Sequence, residues 1–268
     1  MLIDTHCHLD APEFDQDREA VAQAALAAGV QCIVIPAVER NNFATVKQLR
    51  DQYQHCVMAL GIHPLFVDRA QPQDLQVLEQ QIAEEVEAGG IVAVGEIGLD
   101  FFIEDYDREQ QEFYFIEQLK LARRYDLPVL LHVRRSVDAV LKQVRRFKVR
   151  GIAHAFNGSQ QQAEAFIKLG FKLGFGGAMT YERALKIRKL AEVLPLEAIV
   201  LETDAPDIPP EWLGHHGRNS PDQLWKIAEV LAEIRKENIA QIAAITTKNA
   251  IDILPKLADL CTPPHVLL

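Results

Sequence analysis

The chain has 268 residues, of which 49% are apolar, so it can bury one large core or two smaller ones. Its 28 basic and 38 acidic residues give a net charge of -10. This balance argues against processive binding to a long nucleic acid, because such binding rests on contacts to many phosphates. A small substrate, the end of a nucleic-acid chain or one nucleotide at a time would suit this charge better than a long duplex.

Strand-like and helix-like segments alternate along the chain. Amphipathic stretches such as 109–125 and 160–169 separate the strand-like segments. Eight strands are predicted, at 2–6, 32–37, 58–63, 91–96, 129–132, 151–154, 171–175 and 199–204. Eight βα units in a chain of this length favour an α/β fold of the (β/α)8 TIM-barrel type over an open doubly wound sheet. We expect residues 1–254 to form this single domain and residues 255–268 to form a C-terminal tail.

Histidines and carboxylates stand at the ends of several predicted strands. His6 and His8 should share one face of the first extended segment, since alternate strand residues point the same way. The carboxyl ends of barrel strands form the rim where such folds carry their active sites. The residues of this kind that fall at the rim are His6, His8, Glu96, His132, His154 and Asp204.

This set predicts a metal centre. A lone buried histidine is more often a hydrogen-bonded core residue than a ligand. Four imidazoles and two carboxylates in one dry rim, however, require a compensating positive charge. Because the set exceeds the needs of one tetrahedral ion, we predict two divalent ions per chain, bridged by Glu96. Such ligands admit Mg²⁺, Mn²⁺, Zn²⁺ or Co²⁺.

Asp204 and Glu96 are the predicted catalytic residues. A bound metal would lower the pKa of a water molecule and so supply hydroxide at neutral pH. Asp204 can then act both as a ligand and as the group that accepts a proton and passes it to the leaving group. Glu202, two residues earlier, should point the same way. It either supports the metal ligands from behind or pairs with a cation in the core.

Three further residues are predicted to bind substrate. His63 should donate to a substrate oxygen, with a structural role before Pro64 as the alternative. Arg134 and Arg218 should bind a phosphate through bidentate hydrogen bonds, with surface salt bridges as the alternative. Some aromatic residues in segments that follow strands can form an apolar wall or stack on a base, although core or loop packing is the usual outcome for each. They are Phe66, Phe101, Phe102, Tyr181 and Trp212.

The apolar segments and the cysteine content of the sequence predict a cytoplasmic protein. The first predicted strand begins at residue 2, and no apolar run approaches the length of a membrane span. We therefore expect no membrane contact. We also expect a monomer rather than an oligomer. Cys7, Cys32, Cys56 and Cys261 have neither zinc-site spacing nor the density of a disulfide scaffold. Cys7 should be a buried thiol rather than a ligand.

Six motifs resemble those of the TatD family of metal-dependent hydrolases, which belongs to the amidohydrolase-like barrels. They are IDTHCHLD at 3–10, GIHP at 61–64, GEIGLD at 95–100, HAFNGS at 154–159, ETDAP at 202–206 and RNSP at 218–221. The resemblance implies a divalent-metal-dependent hydrolase, with deoxyribonuclease activity described for several relatives. It also implies that the six rim residues named above lie on the metal-ligand positions of the family.

Two departures qualify this resemblance. Leu65 stands where many relatives have a second histidine, so that loop offers one imidazole. Better-known barrel relatives bridge their metals with a carboxylated lysine, and this chain has Glu96 at that position.

Several functions stay open at this point. One is a phosphodiesterase or deoxyribonuclease that acts on DNA or nucleotide ends. Another is an amide or ester hydrolase, and D-aminoacyl-tRNA deacylase activity is known in relatives. The same hydroxide and Lewis acid serve both reactions. A metal-stabilised binding protein is a third possibility, but the surplus of ligands argues against it.

Overall fold

The computed structural model describes residues 1–260. Eight parallel strands are hydrogen-bonded to one another in chain order. They are β1 (Leu2–Asp4), β2 (Val30–Pro36), β3 (Cys56–Leu60), β4 (Ile91–Asp100), β5 (Val129–Arg134), β6 (Gly151–Ala153), β7 (Lys172–Phe175) and β8 (Ile199–Leu201). The first and last strands meet where the Thr5 amide donates to the Leu201 carbonyl at 3.1 Å. The structure therefore confirms the predicted (β/α)8 barrel.

Helices follow the strands and pack around the sheet. They are α1 (Arg18–Ala27), α2 (Phe43–Gln52), α3 (Pro72–Ala88), α4 (Arg108–Arg124), α5 (Val137–Phe147), α6 (Gln160–Lys168), α7 (Leu185–Val193), α8 (Leu224–Arg235), α9 (Ile239–Ile253) and α10 (Leu257–Leu260). Local capping sets some of their ends. At the start of α6, for example, the Ser159 hydroxyl accepts from the Gln162 amide, and the Gln162 side chain accepts from the Ser159 amide.

The ends of several strands differ from the prediction. Strands β3 and β8 end at Leu60 and Leu201, so His63 and Asp204 follow their strands by three residues. Strand β1 ends at Asp4, so His6 and His8 follow the strand rather than lie in it. The reason is that Thr5 donates to β8 whereas Cys7 donates to Val34 of β2, so no continuous ladder with one neighbour forms. Strand β4 instead continues for four residues beyond Glu96, to Asp100, and pairs there with β5.

The amino-terminal end of the barrel is closed by α9. Interior residues such as Ile3, Val34 and Val200 form a buried cluster with Ile253 of this helix. Asn249 of α9 donates to the carbonyls of Leu196 and Ile199, at the start of β8. These contacts leave the opposite, carboxyl end of the barrel available for a functional site.

The start of the predicted C-terminal tail contacts the barrel. Leu254 and Leu257 are fully buried in the same cluster as the barrel interior. Residues 261–268 of the predicted tail, including Cys261, lie outside the described residues. Cys7 is buried, as expected. Within residues 1–260, no helix combines the length and apolar character needed to cross a bilayer. The cytoplasmic location and the monomeric state stay predictions.

Candidate metal centre

The predicted metal ligands come together at the carboxyl end of the barrel, around the carboxylate of Glu96. Its Oε2 atom lies 3.2 Å from His6 Nε2 and 3.3 Å from His8 Nε2. Asp204 completes this group, because its Oδ1 atom is 3.6 Å from His6 Nε2 and 3.8 Å from His8 Nε2. Two imidazoles and two carboxylates thus converge on one position.

The other oxygen of Glu96 faces a second group of imidazoles. Glu96 Oε1 lies 2.9 Å from His132 Nδ1 and 2.9 Å from His154 Nε2. His63 Nε2 is 3.3 Å from the same oxygen. The two groups adjoin each other, since the rings of His6 and His154 are stacked with centroids 3.9 Å apart. One carboxylate therefore presents its two oxygens to two sets of nitrogens.

The spacing of these donor atoms fits a bound divalent cation. Metal–nitrogen bonds of about 2.1 Å in a tetrahedral site put neighbouring ligand atoms about 3.4 Å apart. In the first group, His6 Nε2 and His8 Nε2 are 3.3 Å apart, and each is a similar distance from Glu96. Imidazole nitrogens and carboxylate oxygens are also the donor types that Zn²⁺ and Mn²⁺ accept. The residues present therefore fit the metal that the sequence predicts.

Two glycines allow β4 to carry Glu96 so close to β5. A Cβ atom at Gly95 would lie 2.6 Å from Leu130 Cβ, and one at Gly98 would lie 2.0 Å from the His132 carbonyl oxygen. Gly98 also has a φ of 152°, in the region that favours glycine. The close approach of the two strands brings the side chains of Glu96 and His132 within hydrogen-bonding distance.

Asp100 is a further candidate for this site that the sequence analysis did not assign. It is fully buried at the end of β4, and its Oδ2 atom lies 2.9 Å from His132 Nε2. A carboxylate there favours a proton on Nε2 and leaves the Nδ1 lone pair of His132 for a metal. The signal for it was the spacing, because Asp100 follows Glu96 by an even number of residues in one extended segment.

Glu202 lies behind His154, at the bottom of the site. Its Oε1 atom accepts from the Ala155 amide and is 3.7 Å from His154 Nδ1. Gly174 of β7 makes room for it, because a Cβ atom at that position would lie 2.1 Å from Glu202 Oε2. No basic side chain within residues 1–260 forms an ion pair with Glu202 apart from this histidine. The geometry thus favours support of a metal ligand over a core ion pair.

The backbone around Asp204 is held in an unusual conformation. Asp204 has a φ of 57°, in the left-handed region, and its amide donates to the His6 carbonyl at 2.8 Å. The preceding Thr203 donates its amide and hydroxyl to the buried carboxylate of Asp4, at 3.0 and 2.6 Å. These bonds aim Asp204 at His6 and His8. Burial raises the pKa of Asp204 to about 6.

Burial and charge divide the imidazoles into two kinds. Burial lowers the pKa of His6 to about 3 and that of His63 to about 4, so both are neutral at pH 7. Burial would also lower the pKa of His8, but its hydrogen bond to Glu96 and the charge of Glu96 raise this pKa to about 9. Burial would raise the pKa of Glu96, but the surrounding imidazoles hold it well below its usual value. Binding of a cation requires neutral imidazoles and should therefore release protons and weaken at low pH.

His63 is oriented as a hydrogen-bond donor. Its Nδ1 atom accepts from the Leu65 amide at 3.1 Å, so in the neutral ring the proton is on Nε2. That N–H points toward Glu96 Oε1, at the edge of the second group of ligands. In this tautomer, Nε2 has no lone pair for a metal. The arrangement supports the predicted donation to a substrate oxygen.

The two predicted phosphate-binding arginines lie in different surroundings. Arg134, at the end of β5, is half exposed, and its Nη1 atom is 3.9 Å from Asp100 Oδ2, beside the metal ligands. Arg218 instead forms a bidentate ion pair with Asp17, at 2.8 and 2.6 Å, and donates to the Glu13 carbonyl. No contact among residues 1–260 brings Arg218 to the metal ligands. Its surroundings match the surface salt bridge that was the alternative.

The loop aromatics also differ from one another. Phe102 and Trp212 are exposed, whereas Phe101 stacks on Tyr106. Tyr181 stacks on His215, with ring centroids 4.7 Å apart, and its hydroxyl donates to the Pro209 carbonyl. Phe66 packs edge-on against His63. Phe102 is thus the exposed ring that lies in the segment directly after β4.

Comparisons with known proteins agree with the resemblance drawn from the motifs. A family model described as TatD related DNase matches residues 3–255. The chain is 46% identical over 251 residues to YjjV of Escherichia coli (strain K12), called an uncharacterized metal-dependent hydrolase, with 92% of this chain and 95% of that protein covered. It is 32% identical over 273 residues to deoxyribonuclease TATDN3 of Homo sapiens, with 97% and 96% covered.

A solved structure matches the fold closely. The crystal structure of YjjV, a TatD homologue from Escherichia coli K12, superimposes with a TM-score of 0.89 at 44% sequence identity. The match covers 95% of this chain and 98% of that chain. The barrel and its order of strands are therefore shared over nearly the whole length of both proteins.

Proposed function

This chain belongs to the TatD-related DNase family and is a metal-dependent hydrolase, and from that premise we propose that it is a phosphodiesterase that cleaves DNA or nucleotide ends. The observation that carries the proposal is the division of the Glu96 oxygens between two groups of ligands. Sites that hold two ions are suited to phosphodiester cleavage, because they stabilise the attacking and the leaving oxygen together.

Each group of side chains would hold one ion. The first ion would be held by His6, His8 and Asp204, together with Oε2 of Glu96. The second would be held by Oε1 of Glu96 with His132 and His154. When bound, divalent ions supply Lewis acidity and lower the pKa of water. The number of ions is two per chain in this proposal, and Mg²⁺, Mn²⁺, Zn²⁺ and Co²⁺ all suit the ligands.

Asp204 and His63 would handle protons and hydrogen bonds during the reaction. Asp204 lies beside His6 and His8 at the rim, where its carboxylate is placed to accept a proton from water. It would take a proton from the attacking water and return one to the leaving oxygen. The Nε2–H of His63 would donate to a phosphoryl oxygen. Glu202 and Asp100 would keep His154 and His132 in position.

Arg134 is the cation best placed to bind a phosphate of the substrate. It is two residues from His132 on the same strand and touches the carboxylate that orients this histidine. Arg218 is engaged by Asp17, so we assign it no part in the reaction. A guanidinium beside the metal ligands favours an anionic substrate over a neutral ester.

A substrate panel tests this function. A short single-stranded DNA, bis(p-nitrophenyl) phosphate and an aminoacyl ester are each incubated with the enzyme and Mg²⁺, Mn²⁺, Co²⁺ or Zn²⁺. We expect the two phosphodiesters to be hydrolysed, and we expect EDTA and the His6→Ala substitution to abolish this activity. Hydrolysis of the aminoacyl ester without cleavage of either phosphodiester would overturn the proposal and favour the amide or ester hydrolase. Elemental analysis of the loaded enzyme tests the number of ions.

A further inference from the structure

Two arginines stack on an exposed phenylalanine at the rim of the site. Phe102, whose side chain is 44% exposed, lies in the segment after β4. The guanidinium carbon of Arg134 is 3.7 Å from the centre of its ring, and that of Arg135 is 4.5 Å away. Cation–π stacking of this kind orders an arginine while it leaves the N–H edges open. We call these three residues the arginine platform.

The arginine platform is joined to the metal centre through Asp100. The Phe102 amide donates to Asp100 Oδ1 at 2.8 Å. The other oxygen, Oδ2, lies 2.9 Å from His132 Nε2 and 3.9 Å from Arg134 Nη1. One buried carboxylate therefore orients a metal ligand and anchors the arginine platform. The platform lies one side chain away from the metal ligands.

The two guanidinium groups have hydrogen-bonding capacity to spare. Within residues 1–260, Arg135 has no carboxylate at ion-pair distance, and Arg134 faces Asp100 at 3.9 Å without a hydrogen bond. Each guanidinium carries five N–H donors that match the oxygens of a phosphate. In a protein with a net charge of -10, two neighbouring cations with open donors, of which only Arg134 has a carboxylate at ion-pair distance in the described part of the chain, mark a position for an anion.

We propose that the arginine platform binds the phosphate that neighbours the scissile phosphodiester bond. This inference rests on the proposed function and names its substrate class, a nucleotide strand end with at least two phosphates. Phosphate is favoured over a stacked base because the guanidiniums of Arg134 and Arg135 already lie over the ring of Phe102. The local positive charge also explains how an acidic protein can hold a short polyanion.

The test compares two substrates that differ in the number of phosphates. A 5′-phosphorylated thymidine dinucleotide has two phosphates, and bis(p-nitrophenyl) phosphate has one. For Arg135→Gln and for Phe102→Leu, we expect the ratio of kcat/KM for the dinucleotide to that for the aryl diester to fall about tenfold or more, because a charge-assisted contact is lost. Arg145→Gln, which removes an exposed charge from α5, is the matched control and should leave the ratio unchanged.

A binding measurement separates failure of this inference from failure of the proposed function. The probe is the same dinucleotide with a phosphorothioate linkage, titrated into the metal-loaded enzyme by calorimetry. If the enzyme cleaves phosphodiesters but neither the ratio nor the binding changes in Arg135→Gln and Phe102→Leu, the arginine platform has no such role. If no phosphodiester is cleaved, the proposed function fails, and the assignment of the arginine platform to a phosphodiester substrate is overturned with it. About tenfold weaker binding of the probe by both variants would then show a phosphate site without that reaction, and unchanged binding would show that the platform binds no phosphate.

Discussion

The bond between Asp100 and His132 makes a quantitative prediction about metal binding. The substitution Asp100→Asn keeps the size of the side chain and an oxygen acceptor for the Phe102 amide, but it removes the negative charge that faces His132 Nε2 at 2.9 Å. A hydrogen bond to a charged group contributes about 1.5–3 kcal/mol, and one between neutral groups about 1 kcal/mol. The expected loss of about 0.5–2 kcal/mol corresponds to about 2- to 30-fold weaker binding of one ion.

Calorimetric titration of chelator-treated protein with Mn²⁺ or Zn²⁺ measures this effect. Because Asp100 contacts His132 and none of His6, His8 or Asp204, we expect one dissociation constant to rise while the other stays close to that of the parent protein. The melting temperature of the metal-free variant should be recorded as well, since Asp100 is fully buried.

Asp10→Asn is the matched control for this experiment. Asp10 also lies near a metal ligand, but its Oδ1 atom is 4.0 Å from His8 Nδ1, beyond hydrogen-bonding distance. Its loss should change either dissociation constant by less than about twofold. Unchanged metal binding in Asp100→Asn, or an equal loss in Asp10→Asn, would refute the reasoning that Asp100 sets the tautomer of His132.

Three further predictions follow from the same geometry. Asp204→Asn should lower kcat by about 100-fold or more and retain most of the metal, because an amide cannot accept the proton. His6→Ala should instead lose metal first. Kinetics and elemental analysis of both variants check this. Gly174→Ala should destabilise the protein by about 1–3 kcal/mol in urea unfolding, because the new Cβ would lie 2.1 Å from Glu202 Oε2. Burial lowers the pKa of His55. Below pH 6.5 the unfolded chain therefore binds more protons than the folded protein. The free energy of unfolding should fall as the pH drops through that value. His55→Gln should flatten this part of a profile of urea midpoints from pH 5 to 7, and an unchanged slope would contradict it.

Local sequence patterns were sufficient to predict the barrel and the set of candidate ligands. Eight alternating βα units leave few topologies open, because parallel strands need crossover connections. Once the strands are aligned in parallel, residues that follow them must share one rim. That is why His6, Glu96, His132 and Asp204 were predicted together although they are far apart in the chain.

The exact positions of the ligands at the strand ends were less predictable. His6 and His8 were expected within an extended strand, yet they follow β1, because hydrogen bonds to two different neighbours decide where that strand ends. The left-handed φ of Asp204 likewise depends on its amide bond to His6 and on the bonds of the preceding residue. Such partners come from distant parts of the chain, and a local pattern does not identify them.

The tertiary structure alone decided which charged side chains form ion pairs inside the protein and which keep hydrogen-bond donors open for a ligand. Arg134 and Arg218 look alike as cations near motifs, but Arg218 meets Asp17, which lies 201 positions away in the chain. Arg134 instead stacks on Phe102 and keeps its donors open. The physical reason is that ion pairs and hydrogen bonds depend on distances of a few ångströms, which closure of the barrel sets. The sequence by itself determined the chemical types at the rim, and the fold determined their partners.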